Sequence, residues 1–342
     1  MRSVWLYVAL GVALVVGVIG SAMIGQVAIA PGEIVGSILR AVGIPNDWAP
    51  TDPIIEQTIW VIRFPRIVMG LAVGAALAIA GAIMQAIFGN PLAEPGVVGV
   101  SSGAALGAAI SIVFGLTFLQ GWGTALLAFI TGLLATLLIY FMSRANGRTE
   151  VVTLLLTGIA VNALAGAGLA FMLFLGDTAA REQIVFWELG SLNGSRWPEV
   201  LVVVVVAVVG LVIAVLLGRK LDLLSLGERA ARHLGVNVEA LRIGSIVLVA
   251  LLTGAAVAFV GIIAFVGLVV PHIIRLSIGP AHRPLIIASF LGGGVLLVYA
   301  DMLARTIVPG ADLPIGILTS LIGGPFFFYL LRKARRRSGG WA

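Results

Sequence analysis

The chain contains no cysteine, which excludes disulfides, zinc–thiolate sites and thiol nucleophiles. Lysine occurs only at Lys220 and Lys333, and neither closes a G-x-x-x-x-G-K-[ST] loop, so the chain has no phosphate-cradling loop with which to hydrolyse ATP. Charge is scarce too: 11% of residues are charged, where a soluble domain carries about 25%. Apolar residues take that place, 60% of the 342, the balance of a polytopic membrane protein. Glycine numbers 44, roughly 13% against a usual share of about 7%, a cost in soluble helices but an asset where membrane helices must touch. The net charge of +6 could suit nucleic acid. In a chain this apolar it is better read as setting topology, with no nucleic-acid partner.

Runs free of formal charge mark the membrane segments: 3–32, 67–93, 95–143, 151–176, 200–218, 243–274, 284–300 and 313–331. A run of about 20 residues crosses once. The run from Pro95 to Ser143 is too long for one crossing and is expected to break between Gly115 and Gly123. The run 243–274 would be about 48 Å long as one helix against a core of about 30 Å. It is expected to break near Gly261 to Gly267 into a full helix and a short buried one ending at Pro271. That makes ten crossings. The apolar stretch from Val4 to Ile24 after Arg2 is longer than a signal-peptide core, so it reads as an uncleaved first span.

An even count puts both termini on one side, and the basic tail Arg332-Lys-Ala-Arg-Arg-Arg337 makes that side the cytoplasm. Threaded so, Arg40, Arg63, Arg66, Arg181, Arg196 and Arg305 lie outside, and the other fifteen of the 21 lysines and arginines lie inside. The expected fold is thus an all-α, ten-span bundle in one transmembrane domain over 1–342. Its main extracytoplasmic segments are about 33–62 and 177–197, and its main inner segment lies near 222–236.

Several motifs stand on this frame. Gly89-Asn-Pro-Leu-Ala-Glu-Pro-Gly96 is a turn leading directly into a helix, in which Gly99, Gly103 and Gly107 recur every four residues and bare one face for a close neighbour. Arg63-Phe-Pro-Arg66 opens the second span. Within Leu226-Gly-Glu-Arg-Ala-Ala-Arg-His-Leu-Gly235, Leu226, Ala230 and Leu234 fall at intervals of four as an apolar stripe, while Glu228, Arg229 and Arg232 face away. Such a helix at the membrane surface suits docking in a groove of another protein, or serves as a solvated connector. Phe186-Trp-Glu-Leu-Gly-Ser-Leu-Asn-Gly-Ser-Arg-Trp197, Phe265-Val-Gly-Leu-Val-Val-Pro-His-Ile-Ile-Arg275 and Asp312-Leu-Pro-Ile-Gly-Ile-Leu-Thr319 complete the set.

Taken in order, these stretches resemble the permease subunit of the bacterial ABC importers of the vitamin B12, siderophore and haem class, along essentially the whole chain. The resemblance implies a type II importer permease that pairs with a second copy of itself, two copies of an ATP-binding ABC subunit and one extracytoplasmic substrate-binding protein. It makes Leu226, Gly227, Glu228, Arg229, Ala230, Arg232, Leu234 and Gly235 the coupling helix that receives motion from the ATPase. It makes Arg63, Arg66 and Arg305 the grips for acidic residues of the binding protein. For Arg63 and Arg66, snorkelling to the interface is the competing reading. For Arg305 the competitor is an ion pair with Asp301 one turn earlier. Trp187, Gly190, Ser191 and Asn193, with Asn90 and Pro91, are the candidates for the path or its gate; Trp187 and Trp197 could equally anchor at headgroup depth. Asp312 stands where this family usually has Glu.

No catalytic residue, cofactor or resident metal is expected, because His233, His272 and His282 all thread to the cytoplasmic side and no cysteine accompanies them. The solute expected is a bulky iron chelate, haem or a ferric siderophore, with Phe-Trp-x-Leu-Gly-Ser-Leu leaning toward haem; cobalamin is the alternative. An ion-coupled secondary transporter would need ionisable residues at mid-membrane, and Asp301 is the only carboxylate that the threading places near a span interior. A purely structural membrane protein leaves the docking helix unexplained. The implied location is the cytoplasmic membrane of a bacterium, in contact with lipid.

Overall fold

The structure is a computed structural model that describes residues 2–25, 27–116, 121–145, 148–308 and 310–337. Fourteen α-helices follow one another: α1 Arg2–Met23, α2 Pro31–Ala41, α3 Pro53–Gln57, α4 Phe64–Ile87, α5 Val100–Val113, α6 Gly123–Met142, α7 Val151–Leu175, α8 Thr178–Leu189, α9 Trp197–Leu224, α10 Glu228–His233, α11 Val238–Val260, α12 Val266–Ile278, α13 His282–Ala304 and α14 Ile315–Arg337. One two-residue hairpin, β1 Arg144–Ala145 with β2 Arg148–Thr149, interrupts the helical pattern. Seven apolar helices are long enough to cross a bilayer: α1, α4 with its α3 extension, α6, α7, α9, α11 and α13. α5, α12 and α14 hold shorter apolar stretches. All ten segments expected as spans are therefore helical.

Helix α9 shows why environment decides the local structure. Its Val-rich stretch would favour a strand in water. Within lipid, only a helix satisfies every backbone polar group inside one segment. Val200, Val203, Ala207, Gly210, Ala214, Gly218, Leu221 and Leu224 form its buried stripe at steps of three and four. Leu201, Val205, Val208, Val212 and Leu216 face outward. Helix α4 is the hub, buried at nearly every residue from Pro65 to Ile87 and packed against α9, α11, α12 and α13. It crosses two neighbours closely at glycines: a Cβ on Gly74 or on Gly293 of α13 would overlap the other's carbonyl, and a Cβ on Gly81 would overlap that of Gly267 of α12.

Four sequence expectations are corrected. First, Pro95–Val98 forms a 3-10 turn and Gly99, at φ 80°, is the N-cap of α5, so the Pro/Glu/Pro turn does not lead directly into the helix. Gly99, Gly103 and Gly107 all face α6, against Ile139 and Ala135, Thr131 and Ala135, and Thr131 and Leu127 respectively. Second, the second span begins earlier than expected. α3 continues through a π-helical turn, Thr58–Arg63, into α4. Pro65 has no N–H for the regular ladder, and a π-turn is where a helix absorbs such a defect.

Third, the break in 243–274 falls at 261–265, but α12 runs through Pro271 to Ile278. The carbonyl that Pro271 leaves without its usual donor is that of Gly267. Gln85 of α4 reaches Gly267 O at 3.5 Å and Leu268 O at 3.2 Å, so the helix survives its proline. Fourth, α9 extends to Leu224, which shortens the surface helix to Glu228–His233. The break expected between Gly115 and Gly123 separates α5 from α6; residues 117–120 within it lie outside the described residues.

Candidate functional site

Polar groups gather at the two ends of α4, about 36 Å apart by helix rise. At its N-terminal end Arg63, Arg66 and Arg305 surround a cavity of about 310 Å³ shared with Asn193, Thr58 and Asp312. The π-helical turn carries Arg63, and Arg66 follows in the first turn of α4. Arg66 is bidentate on Asp301, with Nε at 3.0 Å and Nη2 at 2.9 Å from Oδ1, and its Nη1 lies 2.6 Å from Asp312 Oδ2. Asp301 gives its second oxygen to Arg305 Nε at 3.1 Å. Arg305 also donates to Ser21 Oγ at 2.6 Å and Ile24 O at 3.1 Å, and Arg63 donates to Ala22 O and Val27 O.

Arg63 and Arg305 thus satisfy carbonyls at and just beyond the C-terminus of α1, where cations are favoured. Arg63 is 4% exposed and Arg66 7%. Three forks expected to stand free are engaged within the chain, and the Asp301–Arg305 pair foreseen as a competitor is present.

Glu94 was not foreseen as part of the site. It lies before the 3-10 turn, and its Oε1 accepts the N–H of Phe265 at 3.0 Å, at the start of α12. Gly267 and Pro95 also touch here, so the loop after α4 folds back among the helices. Asp301 is therefore not the only carboxylate within the bundle. The sequence signal was available: Glu94 is the single charge dividing the apolar runs 67–93 and 95–143.

At the far end, α10 is braced. Glu228 Oε1 accepts from Arg242 Nη2 at 2.6 Å and its Oε2 from Arg232 at 3.0 Å. Arg242 also donates to Thr149 O at 2.8 Å, and Glu239 takes the Thr149 hydroxyl at 2.6 Å. Glu228 therefore folds back onto α11 and does not belong to an outward charged rim. Ala231 is the buried residue of α10, Ala230 is half-buried, and Leu226 and Leu234, at 65% and 58%, are exposed. Arg229 and Gly235 are exposed, and Gly227 is the N-cap. His282 is buried, with Nδ1 2.7 Å from Asp222 Oδ1.

The path candidates separate between the two ends. Gly190 and Ser191 are joints: Gly190 O accepts Ile315 N–H, and Ser191 N donates to Val260 O at 2.8 Å. Trp187 packs beside Val257, Ala258 and Ile262. Asn193 lines the arginine cavity. Asn90 and Pro91 sit beyond the other end of α4, exposed, with Asn90 Oδ1 accepting Leu92 N–H at 2.9 Å. On α8, Glu188 has its carboxyl raised above its ordinary pKa by burial. Among the described residues no three His, Asp or Glu side chains assemble to hold a metal.

A multi-pass bundle of apolar helices, with a charged socket at one end and a braced surface helix at the other, is the architecture of a membrane permease. Residues 13–333 match the model of the FecCD transport family, and the chain belongs to that family. It is 44% identical to the hemin transport system permease protein HmuU of Yersinia pestis, over 82% of this chain and 85% of that one. It is also 44% identical to the cobalamin import system permease protein BtuC of Halobacterium salinarum, over 81% and 74%. A solved structure of a metal-chelate type ABC transporter in an inward-facing conformation superposes with a TM-score of 0.83 at 33% identity, covering 96% of this chain and 98% of that one. The chain has the fold of an ABC importer permease.

Proposed function

We propose that this chain is the transmembrane subunit of an ATP-driven importer for a bulky iron chelate, haem or a ferric siderophore, in the cytoplasmic membrane of a bacterium. Ten helices cross: α1, α4, α5, α6, α7, α9, α11, α12, α13 and α14. Both termini, α10 and the loop at Asn90 and Pro91 are cytoplasmic, and the arginine end is outside. Two copies of the chain flank the path, two ATP-binding subunits dock on the α10 regions, and a substrate-binding protein docks outside.

The observation that carries this reading is the brace between Glu228 and Arg242, 2.6 Å long. Exposed Leu226 and Leu234 suit a groove on the ATP-binding subunit. A push on α10 then passes through Glu228 into α11, which packs on α4, α5, α6 and α9. Outside, a carboxylate of the binding protein would compete with Asp312, the more exposed acid of the cluster, for Arg66. Guanidinium is suited to such an exchange, because its fork matches carboxylates and it keeps its charge.

Haem is preferred as the solute because of the run Phe186-Trp-Glu-Leu-Gly-Ser-Leu192; cobalamin import is the second reading, supported by the equal similarity to a cobalamin permease. Glu94 favours a third, ion-coupled transport, as an ionisable group within the bundle. Proteoliposomes holding the chain with its cognate ATP-binding subunit and binding protein separate all three. Haem uptake that requires ATP is expected. Uptake driven by an ion gradient without ATP would overturn the assignment, and ATP-dependent uptake of cobalamin alone would replace the solute.

A further inference from the structure

Helix α2 carries its two faces the wrong way round for a helix in water. Glu33, Ser37 and Arg40, at steps of four and three, share one face, and all three bond within the chain. Glu33 Oε2 accepts the Ala30 N–H at 2.9 Å, and Arg40 Nη2 donates to Pro50 O at 3.2 Å. Ser37, fully buried, donates to Glu56 Oε1 at 2.9 Å and accepts from Trp60 Nε1 at 2.8 Å. Val35, Ile38 and Val42, at steps of three and four, share the opposite face, and all three are exposed. A helix beside water turns its apolar stripe inward, and a contiguous outward stripe marks contact with something apolar.

The turn after α2 extends this surface. Asn46 Oδ1 accepts the N–H groups of Trp48 and Ala49, and its Nδ2 donates to Gly36 O at 3.1 Å. Gly36 lets that turn lie directly against α2, since a Cβ there would overlap the backbone of Trp48 and Ala49. The turn is therefore built, yet it leaves the Trp48 side chain 64% exposed. The depth of α2 follows from its packing. The 22 residues of α1 span about 33 Å, against a hydrocarbon core of about 30 Å, so the last turn of α1 lies at the core's edge. Ile34 of α2 packs in one cluster with Ala22 and Ile29 at that end, and with Ile59 and Ile67 at the start of the second span.

We infer that α2 is an interfacial helix, lying on the membrane at the arginine end with Val35, Ile38, Val42 and Trp48 seated in the phospholipid of that leaflet. The lipid-facing surface is continuous up to it: Val12, Val15, Val16 and Ile19 of α1 are exposed below, and Val61 of the π-turn is exposed beside it. Tryptophan concentrates at headgroup depth, and an apolar stripe seated at the acyl boundary is how such helices bind. A protein that docks and leaves would abandon this stripe to water, whereas lipid is always present at this depth. Through Ser37, Glu56 and Trp60 the seated helix also moors the π-turn that carries Arg63. That the leaflet is the outer one rests on the topology proposed above; the depth of α2 does not.

The chain lacks cysteine, so single thiols report cleanly. Val35→Cys, Ile38→Cys, Val42→Cys and Asp47→Cys would each carry a nitroxide in the full-length permease, reconstituted in vesicles of phosphatidylcholine and phosphatidylglycerol. Collisions with oxygen, which concentrates in hydrocarbon, are compared with collisions with a water-soluble nickel chelate. Labels at 35, 38 and 42 are expected to favour oxygen, and the label at 47 to favour nickel. If one stripe variant does not fold, the other two carry the comparison. Nickel reaching the stripe as freely as position 47 would overturn the inference. Shielding that appears only when the substrate-binding protein is added would overturn it too, by making the stripe a protein-docking face. So would spin–spin broadening between stripe labels, which would make the occupant a second copy. An impermeant thiol reagent tests orientation separately on Asp47→Cys. Reaction from the cytoplasmic side alone would refute the topology and leave the depth result standing.

Discussion

Glu94 and Phe265, 171 residues apart, meet through one hydrogen bond of 3.0 Å between a carboxylate and a backbone N–H. Phe265 is the only described non-glycine residue with a positive φ, 68°, a conformation that costs of order 1–3 kcal/mol. Its ring lies against Gly323 of α14. The contact therefore holds a strained joint between the loop after α4, α12 and α14. Removing the acceptor leaves a buried N–H unpaired, so Glu94→Ala is expected to lose about 1–3 kcal/mol of stability. Glu94→Gln keeps an acceptor and should retain most of the melting temperature and of ATP-driven uptake. A folded Glu94→Gln variant that cannot transport would instead mark a carboxyl that must carry charge.

Asp301 serves two arginines at once, Arg66 and Arg305. Asp301→Ala leaves both cations buried beside each other and is expected to cost about 3–5 kcal/mol, the usual penalty for breaking a buried pair. Asp312 is more exposed and holds only Arg66, so Asp312→Ala should cost clearly less. Melting of the purified variants in detergent ranks them; equal losses would mean that the cluster does not converge on Asp301.

Leu226 and Leu234 are exposed apolar side chains that the chain itself leaves unburied. Leu226→Asp with Leu234→Asp is expected to leave the melting temperature of the isolated permease unchanged and to weaken binding of the ATP-binding subunit at least about 10-fold, since burying a leucine is worth about 1.5–3 kcal/mol. Glu228→Gln should behave in the opposite way. It leaves Arg242 buried without its counter-charge, so stability falls even before the partner is added. A pull-down read beside the melting curves distinguishes the two.

Glu188 ties stability to pH. Burial raises its carboxyl pKa in the folded state. The protonated form is therefore favoured by folding, and this contribution is complete below the unfolded value near about 4.3. It is lost as pH rises through the raised folded value. Glu188→Gln removes the titration. Its melting temperature should match the wild type near pH 4 and exceed it at pH 7. A constant difference across that range would show that the side chain is solvated.

Much of this architecture was legible because its physics is local. Helix positions follow from hydrocarbon thickness and the absence of water, so charge-free runs located all ten apolar helices, including the breaks after Phe114 and Val260. The stripe expected at Leu226, Ala230 and Leu234 did not follow from spacing, because α10 is only Glu228–His233 and both leucines lie outside it, exposed. The π-turn before Pro65 and the rescue of Gly267 by Gln85 were not legible either, because each depends on which helix lies alongside. The same is true of Glu228, whose expected outward direction gave way to a buried arginine fourteen residues on.

The sequence by itself determined that this chain is a multi-pass membrane protein, carries no G-x-x-x-x-G-K-[ST] loop and has a basic run at 332–337. Those properties come from composition and from segments of about 20 residues. Only the tertiary structure decided which charges meet. Arg66 with Asp301, Glu94 with Phe265 and Asp222 with His282 are separated by 235, 171 and 60 residues. In a low-dielectric interior an ionisable group is stable only when the fold delivers its partner, and no local pattern encodes where that partner comes from.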